Sequence, residues 1–376
     1  MNISLKEVLT ASGPVKLKLI KLCDLAIGGA LAWLLPAKRR PKPEASAIRN
    51  ILIIRPGGIG DAVFILPGLR SIKKRYPDLK VDILCERRNS VVFSSQGPLC
   101  DRVYRYDEPA ELIAVFRNHY EAVFDTEQWH YLSALTAYFS RAKYAIGFGS
   151  RPLRKKLFDA SVSYDINGYE LDSFRELFLS LFSLGEGLSL ANSFHASADQ
   201  LPSVAGDVAA KSVSFSPVAS LPQKQLNFDQ TVAVIEFFLE LDYQVILLAG
   251  KDHRALSEDV SRKIGDGRLV NLTGQTSLPG AAAIIARTKL FVGTDSGLLH
   301  LACAVGVPTI SVFGSSNWRK WGPRGPKDIV LTDNVPCSPC THFSYSLPTC
   351  KGTYYCMKEF NVRKIMDAVQ RNLETV

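Results

Sequence analysis

The feature that most constrains this chain is a repeated alternation of short apolar runs, glycine-containing turns and helical patterns. The runs predict strands at residues 48–54, 81–85, 122–124 and 144–148 and, after a small polar stretch at 196–211, at 212–216, 244–248, 269–272, 290–292 and 309–313. Apolar runs of this length, separated by helices, are typical of parallel sheets covered by helices on both faces. We therefore predict two α/β halves, in which ligands bind beyond the carboxyl ends of the strands.

The composition is that of an ordinary globular protein. With 47% hydrophobic and 22% charged residues over 376 positions, it excludes a disordered or coiled-coil chain. The length predicts two to three domains. With the proline-containing linker and the polar stretch as boundaries, we expect an anchor and linker at 1–47, a first domain at 48–205 and a second domain at 206–376 with a cysteine-rich tail. The net charge of +9 includes nine Lys or Arg against three Asp or Glu in residues 1–50. The basicity therefore belongs mainly to the N-terminus, and we expect no nucleic-acid partner.

The first fifty residues contain a short apolar segment between basic flanks. Its uninterrupted run, 25–35, has eleven residues, whereas a membrane-spanning helix needs about twenty. The flanking cations are Lys16, Lys18, Lys21, Lys38, Arg39, Arg40 and Lys42. This layout predicts an interfacial helix on an anionic membrane surface, and the alternative is an ordinary helix packed on the globular body. Because no secretory signal is recognisable, we expect reduced cysteines and a cytoplasmic protein bound peripherally to the inner face of the cell membrane.

The loop 291–300 carries the most specific pattern. A strand ends there, and a helix is expected to begin near Ser296 or Gly297, capped by Asp295 or Ser296. Helix N-termini expose unpaired N–H groups and bind phosphate, and His300 in the first turn can donate to the same anion. The alternative is a plain capping turn with a histidine in the core.

The loop 55–61, Arg-Pro-Gly-Gly-Ile-Gly-Asp, follows the first predicted strand. It lacks the Gly-x-Gly-x-x-Gly spacing of a dinucleotide-binding loop, and Asp61 opens a helix. Asp61 is either a helix N-cap or a carboxylate that acts as a general base.

Residues 51–68 and 272–323 together resemble glycosyltransferase family 9, which contains the ADP-heptose:lipopolysaccharide heptosyltransferases. The resemblance implies an α/β GT-B fold, with two Rossmann-like domains facing a central cleft, the acceptor on the first and the nucleotide-sugar on the second. It also implies that Asp61 is the catalytic base, beside Gly57, Gly58 and Gly60. The donor-binding residues that it implies are Lys224, Asp252, Thr294, Asp295, Ser296, Gly297 and His300.

The same resemblance implies transfer of a sugar, heptose from ADP-heptose, onto a lipopolysaccharide core or a related lipid-linked glycan. Asp61 would deprotonate the acceptor hydroxyl, which displaces the diphosphate with inversion. A bound Mg²⁺ would need carboxylates near the phosphates, and the chain has no Asp-x-Asp, so we expect metal-independent transfer without a cofactor. The alternatives are a nucleotide-sugar epimerase of the same fold and a non-catalytic nucleotide-sugar-binding protein.

Two further groups are candidates for binding. The cations that we predict to meet acceptor phosphates are Arg55, Arg151, Arg154 and Lys155, although solvated charge is the alternative. The C-terminal thiols Cys337, Cys340, Cys350 and Cys356 have a spacing that could hold a structural Zn²⁺, and reduced thiols without metal are the interpretation that we favour.

Overall fold

The computed structural model describes residues 21–203, 207–333, 335–340, 350 and 355–373. Lys16, Lys18 and the rest of the predicted anchor before residue 21 lie outside the described residues. The chain divides into two compact units, the first ending at Ser189 and the second beginning at Leu190. The second unit thus begins before the expected boundary at 205, since the Phe194 amide already donates to the Ala304 carbonyl (3.0 Å).

The first unit is built on a six-stranded parallel sheet in the order β3-β2-β1-β4-β5-β6. Its strands are β1 (Asn50–Arg55), β2 (Lys80–Cys85), β3 (Arg102–Arg105), β4 (Ala122–Asp125), β5 (Tyr144–Phe148) and β6 (Ala160–Val162). Its helices are α1 (21–34, with π geometry over Asp24–Gly28 and α geometry over Gly29–Leu34), α2 (Ile59–Arg75), α3 (Arg87–Ser94), α4 (Pro109–Arg117), α5 (Tyr131–Phe139), α6 (Pro152–Lys155) and α7 (Glu170–Leu179). The central strands β4 and β5 are buried along their whole length, as apolar side chains on both faces require.

The second unit repeats this plan with a parallel sheet in the order β12-β11-β10-β7-β8-β9. Its strands are β7 (Ser212–Ser216), β8 (Gln244–Leu247), β9 (Leu269–Asn271), β10 (Leu290–Thr294), β11 (Thr309–Val312) and β12 (Ile329–Leu331). Its helices are α8 (Phe228–Glu240), α9 (Arg254–Ile264), α10 (Leu278–Ile285), α11 (Gly297–Val305), α12 (Trp318–Trp321), α13 (Tyr355–Lys358) and α14 (Arg363–Leu373). Its core includes Phe215, Phe238 and Val292, which pack between the sheet and the helices.

Each sheet contains one point where the strand order reverses. In the first unit the chain adds β2 and β3 on one side of β1 and then returns to add β4, β5 and β6 on the other side. The strand order therefore reverses between β1 and β4. In the second unit the reversal lies between β7 and β10. Ligands of open α/β sheets bind beyond the carboxyl ends of the strands at these points.

Helix α2 is held against α7 by a close contact at Gly68. A Cβ at this position would lie 2.6 Å from the Phe178 ring, so only glycine permits this approach. Phe178 in turn packs on Phe124 of β4 (ring centroids 5.4 Å apart). The helix that carries Asp61 is therefore fixed by the aromatic core of its own unit.

Helix α1 packs on the first unit, and several of its flanking cations have protein partners. Ala32 is fully buried, Lys38 Nζ donates to the Tyr138 carbonyl (2.9 Å), and Arg40 pairs with Asp159 (2.6 Å). The alternative of a packed helix is therefore correct for one face of α1. No helix among the described residues combines the length and hydrophobicity needed to cross a membrane.

Candidate active site

The loop between β10 and α11 has the predicted strand-to-helix geometry. Ser296 is the N-cap residue of α11, one of the two predicted, but its hydroxyl accepts no hydrogen bond from a backbone amide, and Asp295 accepts from Lys224 instead. The first N–H groups of α11 therefore depend on a partner from outside the helix. Gly293, Thr294 and Gly297 lie at the adjoining ends of strand and helix.

Asp295 holds two cationic or potentially cationic side chains. Lys224 Nζ, at the end of the short helix Pro222–Lys224 that follows β7, donates to Asp295 Oδ2 (2.6 Å). His300 Nε2 lies 3.5 Å from Asp295 Oδ1. Burial alone would raise the pKa of Asp295, but Lys224 and His300 outweigh burial and hold that pKa well below its usual range. The structure thus brings together three of the predicted donor-binding residues across the reversal between β7 and β10.

Buried hydroxyls surround the same strand ends. Within the described part of the chain, five of them have no hydrogen-bond partner: Ser216, Thr294, Ser296, Ser315 and Ser316. Ser216 ends β7 directly opposite Gly293, while Ser315 and Ser316 follow β11. Buried hydroxyls are normally hydrogen-bonded, so this cluster is suited to a polar ligand. Sequence reasoning missed Ser216, Ser315 and Ser316, although each follows or ends a predicted strand.

Asp252 lies further along the same sheet edge, exposed in the turn between β8 and α9. A cavity of about 250 Å³ lies between the start of α9 and the end of β9, lined by Arg254, Glu258, Asn271, Thr273 and Gln275. The turn that carries Asp252 thus leads directly into one wall of this cavity.

In the first unit, the β1–α2 loop has a conformation that requires glycine. Gly57 has a φ of +110°, a backbone conformation that residues other than glycine rarely adopt. Its amide donates to Glu86 Oε1 (3.0 Å), and its carbonyl accepts from Arg88 Nε (3.0 Å). Gly58 is the N-cap of α2, followed by Ile59 and Gly60, so the interpretation of Asp61 as an N-cap is wrong. Asp61 lies in the first helical turn with its side chain 27% exposed.

Arg55 lies beneath Asp61 and is buried, which contradicts its predicted contact with the acceptor. Its Nη2 lies 3.8 Å from Asp61 Oδ2 and 3.6 Å from Glu127 Oε2, and its Nη1 donates to the Thr126 carbonyl (2.9 Å). Burial would lower the pKa of Arg55, but the carboxylates of Asp61 and Glu127 raise it and keep the guanidinium charged. Arg55 therefore ties the end of β1 to the loop after β4. Sequence reasoning missed Glu127.

Arg154 is also buried, so its predicted role in binding the acceptor is wrong. Its Nη2 pairs with Asp125 Oδ2 (2.6 Å), its Nε donates to the Phe148 carbonyl (3.1 Å), and it donates to the carbonyls of Glu127 and His130. The guanidinium therefore directs its hydrogen bonds and its ion pair to groups inside the protein.

The neighbouring cations of the first unit remain accessible. Lys155 is exposed, and Arg151 lies over the Tyr131 ring at 4.5 Å from its centroid. Their contact with an acceptor stays a prediction.

Among the described residues, the C-terminal cysteines are not joined in disulfides. Burial, and then the nearby thiols of Cys340, Cys337 and Cys350, raise the pKa of Cys356 to about 11. The Cys340 amide donates to the Ser315 carbonyl (2.9 Å), so this segment contacts the turn after β11. Among the residues that the structure describes, no group of His, Cys, Asp or Glu side chains is arranged to hold a metal ion.

Comparison with known proteins decides the family. The sequence pattern of glycosyltransferase family 9 (heptosyltransferase) matches residues 112–350. The chain belongs to glycosyltransferase family 9. It is 26% identical over 285 residues to lipopolysaccharide heptosyltransferase 3 of Escherichia coli K12, covering 70% of this chain and 82% of that relative. The predicted family and the prediction of a glycosyltransferase are therefore confirmed.

Two solved structures share the fold of this family 9 chain. A family 9 glycosyltransferase from Veillonella parvula superposes with a TM-score of 0.73 at 17% identity, covering 90% of this chain and 100% of that one. The E. coli ADP-heptose lipopolysaccharide heptosyltransferase II superposes with a TM-score of 0.69 at 18% identity, covering 87% and 99%. These likenesses confirm the predicted GT-B class, with two Rossmann-like parallel sheets.

Proposed function

We propose that this family 9 enzyme transfers heptose from ADP-heptose to the lipopolysaccharide core or a related lipid-linked glycan, with inversion at the anomeric carbon. The observation that carries the proposal is the cluster of Lys224, Asp295 and His300 at the N-terminus of α11, in the loop that resembles the donor site of the family. The name of heptosyltransferase II in E. coli supports ADP-heptose as the donor. The name of the E. coli K12 relative supports lipopolysaccharide as the acceptor.

On the donor side, the second unit concentrates positive potential where a leaving diphosphate gains negative charge. Lys224 and His300 are fixed by Asp295, the amides of α11 point out of its first turn, and buried hydroxyls at Thr294 and Ser296 can donate hydrogen bonds. Donors that are already oriented stabilise the developing charge without reorganising during the reaction. In this proposal, Asp295 positions the cations instead of contacting phosphate itself.

On the acceptor side, the proposed base is Asp61. Its carboxylate takes the proton of an acceptor hydroxyl, the oxygen forms a bond to the anomeric carbon, and the bond from that carbon to the diphosphate breaks from the opposite face. The electron pair of the broken bond leaves with ADP. Arg55 and Glu127 hold the loop so that Asp61 remains partly exposed.

The transfer is proposed to need no catalytic metal and no cofactor. The sequence has no Asp-x-Asp to place carboxylates beside a metal-bound diphosphate. The charge that a cation would neutralise falls instead to Lys224, His300 and the N-terminus of α11.

Because the proposed acceptor is lipid-linked, we place the enzyme on the cytoplasmic face of the cell membrane, bound peripherally to an anionic surface. The support is the basic character of residues 1–50 and the apolar outer face of α1. A lipid-linked acceptor stays in the bilayer, so an enzyme bound to the membrane surface encounters it by lateral diffusion along that surface.

The test is Asp61→Asn, assayed with ADP-heptose and a heptose-accepting core saccharide in the presence of EDTA. We expect transfer to fall at least about 10³-fold, because the general base is lost, while ADP affinity stays within about twofold. Asp78→Asn is the matched control, since Asp78 is exposed just before β2, at the amino ends of the strands, whereas Asp61 lies beyond their carboxyl ends. Retained activity in Asp61→Asn would remove Asp61 from its role. Conversion of the nucleotide-sugar without acceptor would indicate the epimerase instead.

A further inference from the structure

Exposed large apolar side chains are concentrated on two helices of the first unit. Of nine such residues in the described part of the chain, six belong to α1 and α5. We call these six the docking face: Ile27, Leu31, Trp33, Leu34, Leu132 and Phe139. Trp33 and Leu34 are each 68% exposed, and Leu132 is 59% exposed. Single exposed apolar residues are ordinary, but a cluster marks an interaction site.

Contacts at both ends show that the two helices run side by side. At the start of α5, the amides of Tyr131 and Leu132 donate to the carboxylate of Asp24 (3.1 and 2.7 Å). At its end, the Tyr138 hydroxyl donates to the Pro36 carbonyl (3.3 Å), and Lys38 Nζ lies 4.5 Å from the Tyr138 ring centroid. Helices α1 and α5 are therefore neighbours, and each carries exposed apolar side chains.

Helix α1 is fixed in this position. Asp24 is buried and caps α5, since α5 has no capping side chain of its own. A Cβ at Gly28 would lie 2.9 Å from the Tyr131 Cβ, so glycine allows the close approach of the two helices. The docking face is thus part of the folded unit and not a separate tether.

A cationic rim adjoins the docking face. Lys156 Nζ donates to the Trp33 carbonyl (2.7 Å), and the Lys38 amide donates to the Lys156 carbonyl (3.0 Å). Arg39, Lys42 and Lys155 nearby in the chain are exposed. Cations beside an apolar face with an indole at its border match a bilayer that carries anionic headgroups.

We propose that the outer faces of α1 and α5 form one membrane-docking surface, which inserts its apolar side chains into an anionic bilayer while the rim contacts lipid phosphates. This inference deepens the proposed function, whose lipid-linked acceptor it brings to the enzyme. A second copy of the chain is a poorer occupant, because a two-fold contact through this face would bring the cations of one rim near those of the other.

The position of α5 relates this surface to the candidate base. Helix α5 follows β4, and the loop between them carries Glu127, which pairs with Arg55 beneath Asp61. Leu132, in the first turn of α5, is therefore the member of the docking face that lies beside this loop. In this proposal, an acceptor held by its lipid approaches the candidate base from that end of the docking face.

The experiment is sedimentation of the full chain with vesicles of phosphatidylethanolamine and phosphatidylglycerol, compared with phosphatidylcholine vesicles. We expect binding to the anionic vesicles only, and Leu132→Gln/Phe139→Gln should weaken it at least about tenfold, because two apolar side chains no longer insert. Ile113→Gln/Ile166→Gln is the matched control, with two exposed apolar residues outside the docking face, and should bind like the parent.

Three outcomes would overturn the inference: equal binding to neutral vesicles, unchanged binding by the Leu132→Gln/Phe139→Gln variant, or a dimer in sedimentation velocity that this variant abolishes. Circular dichroism and the unfolding temperature, measured on every variant, show whether the fold of the first unit is retained. Transfer to a delipidated acceptor is measured separately. A parent protein that binds anionic vesicles through α5 but transfers no heptose would refute the proposed function and leave this inference standing.

Discussion

Replacement of Arg154 by leucine tests whether this arginine is structural. The side chains of Arg154 and Asp125 are both 0% exposed, and the change leaves the Asp125 carboxylate and the carbonyls of Phe148, Glu127 and His130 without their cationic donor. Removing one partner of a buried pair costs about 3–5 kcal/mol. That is a large share of the roughly 5–15 kcal/mol that stabilises a domain.

For a unit of this size, we expect the loss to lower the unfolding temperature by roughly 10 °C. Differential scanning calorimetry of the full chain measures it, with Lys155→Leu as the control because Lys155 is adjacent and exposed. Adding Asp125→Asn to Arg154→Leu should recover part of the stability, since the second change removes the unpaired buried charge. An unchanged unfolding temperature combined with a raised KM for the acceptor would refute this reasoning and return Arg154 to acceptor binding.

Two further predictions concern charge. Lys224→Met should weaken ADP binding about 10- to 100-fold in calorimetric titration, because a charge-assisted contact to phosphate is lost, and an unchanged affinity would contradict the donor site. Burial lowers the pKa of His130, but its hydrogen bond to Asp24 and the charge of Glu127 outweigh burial and raise that pKa above its usual value. His130 therefore stabilises the fold below about pH 6.5, and this contribution is lost as the pH rises through the folded pKa. In urea unfolding, the free energy of unfolding should be lower at pH 8.5 than at pH 6, and this difference should be smaller in the Asp24→Asn variant. An equal difference in the parent protein and the variant would contradict the assignment.

The sequence predicts the buried strands of both sheets but misses β3, β6 and β12. These three strands lie at sheet edges, are three or four residues long and are mostly half-buried. A short edge strand has neither the apolar run of a central parallel strand nor a regular alternation, so its pairing is decided by the neighbouring strand.

Side-chain partners are harder to predict than elements. The motif around 295–300 predicts a loop that leads into a helix N-terminus, but the direction of the Asp295 side chain depends on Lys224, which is 71 residues away in sequence. Likewise, a run of cations at 151–156 does not distinguish the exposed Lys155 from the buried Arg154, because the distinguishing feature is Asp125 on another strand.

Helix α1 shows a different difficulty. Packing on the protein and binding to a membrane are alternatives for a sequence segment, but in a helix they need only different faces. Ala32 and Gly28 are buried against the first unit, whereas Ile27, Leu31 and Leu34 remain exposed at helical spacing. An apolar segment with a second helix beside it satisfies both conditions, and sequence periodicity alone does not reveal that neighbour.

The two sheets place an ion pair at the same topological position with different chemical consequences. Arg55 at the end of β1 pairs with Glu127 after β4, and Lys224 after β7 pairs with Asp295 after β10. Each pair joins loops from the two sides of the strand-order reversal, where the sheet itself leaves a crevice. In the first unit the cation is buried, and the nearby carboxylate of Asp61 is partly exposed. In the second unit the more deeply buried member is the carboxylate, and Lys224 beside the N-terminus of α11 is the more accessible one. The same arrangement therefore leaves a carboxylate accessible in one unit and a cation accessible in the other, which is what the proposed base and the proposed diphosphate site require.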